Sequence, residues 1–352
     1  MNIGQRTIAR DTEPYIIAEL GVNHDGSVDR ALELTRAAAA NGADAVKLQL
    51  YRTDMLMSKA AKLASYQKAA GETDPIAMLR RLELTTDEME RVVDLAHSLK
   101  VHAIVSVFSV ELVAEAETLA WDAYKTASPD IINRPLLEAL VATGKPLVVS
   151  TGASTLREIG RALDWLRAAR ERLAVMQCVS SYPTPIEQAE LAGIRAIAEI
   201  FDGPVGYSDH TSDERTGAWA ANMGACILEK HVTFDQAAQG PDHAASLTPE
   251  NLAVYHDVIV SRHFMLDVPE AALGEGKRVL ECEEDVRRVS RQSLVTTRDL
   301  SAGHRLTRSD LTIKRPGTGV EPFRLDEMLG KRLREAVEAD VPLSPEVVDS
   351  KS

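Results

Sequence analysis

The chain has 352 residues, with 40 Lys and Arg against 53 Asp and Glu, a formal charge of −13 and a hydrophobic fraction of 45%. That balance fits a globular protein long enough to bury its own core without a disulfide or metal staple. An acidic chain with no basic run grips nucleic-acid backbones poorly, and no stretch approaches the ~20 apolar residues of a membrane helix, so neither partner is expected.

Short β-branched runs predict strands at Tyr15–Glu19, Asp44–Leu48, His102–Ser106, Ala123–Thr126, Pro146–Ser150, Ala174–Cys178, Pro204–Tyr207 and Ala225–Glu229. Apolar residues at three- and four-residue spacing predict helices between them, at Val28–Ala40, Thr86–Leu99, Arg134–Val141, Leu156–Arg167, Ala189–Glu199, Glu214–Met223 and, after the last strand, about Pro249–Phe264. Such alternation implies parallel strands with right-handed crossovers, and eight units close a (β/α)8 barrel. The segment Tyr51–Thr85 interrupts the pattern and is expected to fold as helical turns over one face. The expected domains are a barrel over 1–270, a charged linker over 271–292 and a small unit of strands and turns over 293–352. The acidic run Glu281–Asp285 within the linker reads as a solvated face.

Cys178, Cys226 and Cys282 are odd in number and far apart, which fits reduced thiols. The opening Met1-Asn2-Ile3-Gly4-Gln5-Arg6 lacks the apolar core of a secretion signal, so a cytoplasmic location is expected.

The predicted strands are apolar until they end. At or just beyond their C-terminal ends stand Glu19, Lys47 with Gln49, Ser106, Lys125, Ser150, Ser180 with Tyr182, Ser208 with His210, and Glu229 with His231. In a barrel this is the face on which active sites form. Residues two apart in an extended segment point the same way, so His210 and His231 are expected to converge from neighbouring strands. Two imidazoles with room for water and a substrate oxygen suit Mn, Co, Zn or Fe; the alternative is a pair of ordinary hydrogen-bonding groups. Lys47 and Lys125 read as binders of a small anion, as Schiff-base lysines, or as members of salt bridges. The serines of the rim favour the anion.

Other motifs fail. Gly274-Glu275-Gly276-Lys277 looks like a phosphate loop, but Ala271 stands at its first glycine position and no strand precedes it. Met55-Leu56-Met57 reads as lid packing.

Several segments together resemble the sialic acid synthases: Ile17-Ala18-Glu19-Leu20-Gly21-Val22-Asn23-His24-Asp25-Gly26-Ser27, Ala45-Val46-Lys47-Leu48-Gln49, Ser150-Thr151-Gly152, Tyr182-Pro183-Thr184-Pro185, Ser208-Asp209-His210-Thr211, Ile227-Leu228-Glu229-Lys230-His231 and Gly240-Pro241-Asp242. Ile313-Lys314-Arg315-Pro316-Gly317-Thr318-Gly319 resembles that family's antifreeze-like (SAF) domain. The resemblance implies a TIM barrel followed by a SAF domain, paired in a domain-swapped homodimer. It implies condensation of phosphoenolpyruvate with N-acetylmannosamine or a related acylamino sugar to give N-acetylneuraminate or a related nonulosonate. Relatives making legionaminate or pseudaminate share the scaffold.

Carried over by motif, Lys47, Ser106, Lys125, Ser128, Ser150, Ser180 and Ser208 surround phosphoenolpyruvate. His210 and His231 hold a divalent metal, Mn2+ with Mg2+ or Co2+ as substitutes. Gln49, Tyr182 and Asp242 face the acceptor, and Arg315 reaches it from the partner's C-terminal domain. Glu19, Lys47, Lys125, Asp130 and Glu229 are the expected catalytic set. The sequence departs from the family where Thr126-Ala127-Ser128-Pro129-Asp130 replaces Ile-Gly-Ser-Gly-Glu, where Val105-Ser106-Val107 replaces Ser-Thr-Pro, at Ser180 (commonly Asn) and at Gln177 (commonly His). A Schiff-base aldolase using Lys47 or Lys125, and a non-catalytic carbohydrate-binding protein, are the competing readings.

Overall fold

The structure, a computed structural model, describes residues 1–261 and 267–349. Eight parallel strands close a barrel: β1 (Tyr15–Glu19), β2 (Ala45–Leu50), β3 (His102–Val107), β4 (Ala123–Thr126), β5 (Leu147–Ser150), β6 (Leu173–Cys178), β7 (Val205–Asp209) and β8 (Ile227–His231), with β8 pairing back onto β1. The predicted strands are all present. The last two run two residues further than expected, to Asp209 and His231, because Asp209 and Lys230 face each other in register and form a fully buried ion pair of 3.1 Å outside the barrel.

Each strand has two faces of opposite use. Ile16, Ala18, Val46, Leu48, Val105, Tyr124, Val149, Val175 and Leu228 belong to the main hydrophobic cluster shared with the helices. Tyr15, Ile17, Ala45, Ile104, Ala123, Val148, Ala174, Met176 and Ile227 form a separate cluster with Ile3 and Ile8. This second set is the inward series at the N-terminal end, plugged by the first residues of the chain. Two residues further along the same inward series stand Glu19, Lys47, Ser106, Lys125, Ser150, Cys178 and Glu229. Period-two alternation thus turns an apolar floor into a polar mouth without changing face.

Capping fixes where helices begin. Ser27 accepts from the Arg30 N–H, and Thr85 and Thr155 form capping boxes with Glu88 and Glu158. The helix predicted from Ala189 begins at Ala192, and the last one spans Pro249–Val260. Residues 262–264 of that predicted helix lie outside the described residues.

The interruption after β2 folds as three short helices, Thr53–Leu56, Ser65–Ala69 and Pro75–Arg81, which form a lid. Leu56, Met57, Met78, Leu79 and Leu82 pack it against Val22, Tyr51 and Phe108 at the barrel mouth. The C-terminal unit pairs β9 (Ser293–Thr296) antiparallel with β10 (Leu311–Lys314) around Leu294, Leu300, Leu306, Leu311, Val320 and Leu343.

The linker differs from its expectation. Glu283, inside the acidic run read as solvated, is fully buried. Its Oε1 accepts the Ala153 N–H at 2.6 Å and the Ser180 N–H at 2.7 Å, both at strand ends. A carboxylate in that position satisfies two amides that a barrel rim otherwise leaves to water. The glycine turn resembling a phosphate loop holds a carboxylate of its own chain: the Glu275 and Gly276 N–H groups donate to Glu190 Oε2 at 2.9 and 3.1 Å.

Candidate active site

A single pocket at the C-terminal mouth gathers Glu19, Lys47, Gln49, Ser106, Lys125, Ser128, Ser150, Ser180, Tyr182, Ser208, His210, Glu229, His231, Asp242 and Arg315. Asp130 is the one expected site residue outside this lining. It sits on the turn Ser128–Ile132, buried, with Arg315 and Lys125 as its charged neighbours. Burial pushes its carboxyl up to about 7, against the pull of the Arg315 charge.

The centre of the mouth is an ion network. Lys47 Nζ bonds Glu19 Oε2 and the Ser106 hydroxyl at 3.1 Å, and lies 3.8 Å from Glu229 Oε1. Lys125 Nζ meets the same Glu229 oxygen at 3.1 Å, and the Ser208 hydroxyl donates to it at 3.3 Å. Burial lowers the Lys47 ammonium to about 7 although Glu229 favours its charge. Burial raises Glu229, but the two lysines outweigh it and hold the carboxyl below its usual range. Glu229 Oε2 is buried and unpartnered, so one oxygen of this carboxylate is left for a ligand.

Beside the lysines is a hydroxyl nest. The Ser128 hydroxyl donates to Ser150 Oγ at 2.9 Å and accepts the Gly152 N–H at 2.9 Å. Only a glycine fits there. A Cβ on Gly152 would stand 2.2 Å from Ser180 Oγ and 2.7 Å from Ser128 Oγ.

The histidines converge, with ring centroids 5.6 Å apart. His210 Nδ1 donates to the Val179 carbonyl at 2.7 Å, so Nε2 is the ring nitrogen left for a ligand. His231 Nδ1 is buried and unpartnered, with Asp242 Oδ2 3.8 Å away. Burial, followed by the charge of His210, keeps His231 well below its ordinary pKa, and therefore neutral. Among the described residues no cluster of three His, Cys, Asp or Glu side chains forms a closed metal cage. Two imidazoles with free ring nitrogens fit an open site, in which substrate or water supplies the remaining ligands.

The arginine reaches the same pocket from the C-terminal unit. Arg315 lines the pocket of its own chain, its guanidinium 5.7 Å from the Phe108 ring. Its carbonyl accepts the Ser58 N–H at 3.1 Å, and its N–H donates to Leu56. The linker explains the return: Arg278 on Glu190, Glu283 on two strand-end amides, and Arg287 with Arg291 on Glu158 pin it across the mouth. Gln177, a departure noted in the sequence, points away from the pocket, its amide donating to the Glu190 carbonyl at 3.1 Å.

Six lining residues carry no signal in the sequence: Tyr66, Gln67, Met78 and Leu79 from the lid, and Val286 and Ser290 from the linker. Cys178 also lines the mouth, 3.8 Å from His210 Nδ1. Its inward position at the end of β6 was readable from strand alternation.

A parallel barrel with lysines, hydroxyls and a histidine pair at one mouth, closed by a small β unit, defines a class that the comparisons make specific. Residues 34–267 match the NeuB family and residues 291–348 match the SAF domain. The chain belongs to the NeuB family, the sialic acid synthase family of enzymes. It is 34% identical over 344 residues to the N,N'-diacetyllegionaminic acid synthase of Legionella pneumophila, covering 96% of this chain and 95% of that protein. It is 30% identical to the N-acetylneuraminate-9-phosphate synthase of Mus musculus, covering 96% of this chain and 93% of that one. The crystal structure of the spore coat polysaccharide biosynthesis protein SpsE from Bacillus subtilis superposes with a TM-score of 0.86 at 27% identity, covering 100% of this chain and 99% of that one.

Proposed function

We propose that this enzyme condenses phosphoenolpyruvate with an acylamino sugar of the N-acetylmannosamine type, giving a nine-carbon 2-keto acid and phosphate. The observation that carries the reading is the single pocket in which two buried lysines, a hydroxyl nest and two converging histidines share one space. Lys47 and Lys125 with Ser106, Ser128, Ser150 and Ser208 match the phosphate and carboxylate of phosphoenolpyruvate. Gln49, Tyr182, Asp242 and Arg315 are the polar and aromatic groups left for the sugar. The similar enzymes include a diacetyllegionaminate synthase and an N-acetylneuraminate-9-phosphate synthase, so acceptors with one and with two acylamino groups both fit the reading.

His210 and His231 would hold a divalent metal, Mn2+ first, which when bound supplies Lewis-acid polarisation of the open-chain aldehyde. The chain's own residues account for the remaining chemistry. The lysines hold phosphoenolpyruvate with its C3 toward the aldehyde carbon, and a C–C bond forms there as the C=O π bond opens and its oxygen takes up a proton from solvent. Positive charge develops at C2, where the free oxygen of Glu229 stabilises it and accepts a proton from the water that adds. The tetrahedral carbon then expels phosphate by cleavage of its C–O bond.

The test is phosphate release from phosphoenolpyruvate with a panel of acylamino sugars, with Mn2+ or chelator present. Sugar-dependent release that needs metal supports the reading. A borohydride-trapped adduct on Lys47 or Lys125, with activity indifferent to chelator, would replace it with the Schiff-base aldolase.

The cap of this site is made within one chain here. A homodimer with exchanged domains keeps the same contacts and makes them between chains. Mixed His210→Ala and Arg315→Ala proteins separate the two arrangements: activity returns only if the domains are exchanged.

A further inference from the structure

Tyr66 belongs to none of the motifs described above. It stands on the lid helix Ser65–Ala69 and its ring stacks on Tyr182, centroids 4.9 Å apart and planes at 29°. Tyr182 in turn lies 4.1 Å from His210. Tyr66 is therefore the outer end of a column of rings that stands on the histidine pair.

The linker fixes its position. The Ser65 N–H and hydroxyl both donate to Asp285 Oδ2, at 2.6 and 2.8 Å, and Ala64 and Tyr66 pack against Val286 and Val289. The lid helix is thus held by the segment that carries the C-terminal domain. The charged neighbours of the Tyr66 phenol are Asp242 and Arg315, the two groups turned toward the acceptor in the proposed reading. Burial pushes this phenol well up, so the hydroxyl is neutral at physiological pH. It accepts one long bond from Gln67 Nε2 at 3.4 Å and donates to no other described residue.

We infer that Tyr66 is a specificity-determining residue for the acceptor sugar: its ring is the wall against which the acyl-bearing face packs, and its hydroxyl donates to the acceptor. The inference rests on the reading of this pocket as a condensing site. An aromatic wall with a polar tip suits a ligand that is apolar along one face and carries carbonyl or hydroxyl oxygens at its edge. Phosphoenolpyruvate, held deeper by the lysines, touches none of it.

Full-length Tyr66→Ala and Tyr66→Phe proteins test this, each assayed with phosphoenolpyruvate and either N-acetylmannosamine or a diacetamido hexose. Loss of one stacked ring is expected to raise the acceptor KM about tenfold in Tyr66→Ala and to shift the kcat/KM ratio of the two sugars about fivefold. The KM for phosphoenolpyruvate stays within about twofold, and Tyr66→Phe, which loses only the hydroxyl's bond, raises the acceptor KM about threefold while the sugar ratio stays within about threefold. An unchanged acceptor KM, or equal rises for both substrates, reduces Tyr66 to lid packing and overturns the inference. Absence of turnover by the unmodified protein with every sugar would instead overturn the condensing reading beneath it.

Discussion

Lys125 and Glu229 meet across the barrel axis, Nζ to Oε1 at 3.1 Å, from strands β4 and β8 that share no hydrogen bond. Glu229 also neutralises Lys47, so one carboxylate serves two buried ammonium groups. Glu229→Gln keeps the shape and removes the charge. Turnover is expected to fall at least about 100-fold, the usual worth of a positioned acid–base group. Lys125, left without its carboxylate while Lys47 keeps Glu19, costs about 3 kcal/mol of folding stability. Phosphate release and urea denaturation measure the two effects. Retained turnover in the variant would remove Glu229 from the chemistry.

The histidine pair predicts a metal requirement. Chelator-treated protein is expected to lose at least about 99% of its phosphate release and to regain it with Mn2+. Replacing either His210 or His231 by Ala should weaken Mn2+ binding at least about 100-fold by calorimetry, since each would remove half of the protein's ligands. Equal Mn2+ affinity in unmodified and variant proteins would place the metal elsewhere.

Gly152 sits where the hydroxyl nest closes. A methyl group there meets Ser180 Oγ, Ser128 Oγ and Cys178 Sγ within 3.1 Å. Gly152→Ala must push these groups apart and spread the nest. The expected result is a KM for phosphoenolpyruvate raised about tenfold or more, at a stability cost of about 1–3 kcal/mol for the overpacking. The acceptor KM is the internal control; if it rises and the phosphoenolpyruvate KM does not, the nest serves the sugar.

Glu158 is the main anchor between barrel and linker. Its Oε1 accepts from Arg291 at 2.6 Å and from Arg287 at 2.7 Å. Burial raises its carboxyl, but the hydrogen bonds from the two arginines outweigh that and hold it well below the usual carboxylate range. A carboxyl depressed in the folded state stabilises fully above its unfolded pKa, about 4.3, and loses that contribution as pH falls through the interval below. Glu158→Gln is expected to cost about 2 kcal/mol at neutral pH, allowing for the partial exposure of Arg287. The gap between unmodified and variant proteins should narrow as pH drops from about 5 to about 3. A gap that is constant with pH would assign the loss to packing.

The barrel and its mouth were legible because both are written in short-range patterns. Lys47 and Gln49, or Glu229 and His231, declare their shared face by a spacing of two. The lid and cap were not legible in that way. Tyr66 reaches Tyr182, Ser65 reaches Asp285, and Glu283 reaches the strand ends at Ala153 and Ser180 across more than a hundred residues. No periodicity records such contacts. Charge misled as well: an acidic run usually faces water, and here its third residue is the one that is fully buried. Asp130 matched a motif by type and stands on the buried turn Ser128–Ile132, next to but not in the pocket lining.

Glu283 also sets the conditions for opening. Lifting the linker away from the barrel would strip a carboxylate and two amides of their partners together, at positions beside Gly152 and Ser180 where the hydroxyl nest is built. The stopper and the seat are thus one mechanical part: what lifts the linker off the barrel also frees the backbone that shapes the hydroxyl nest.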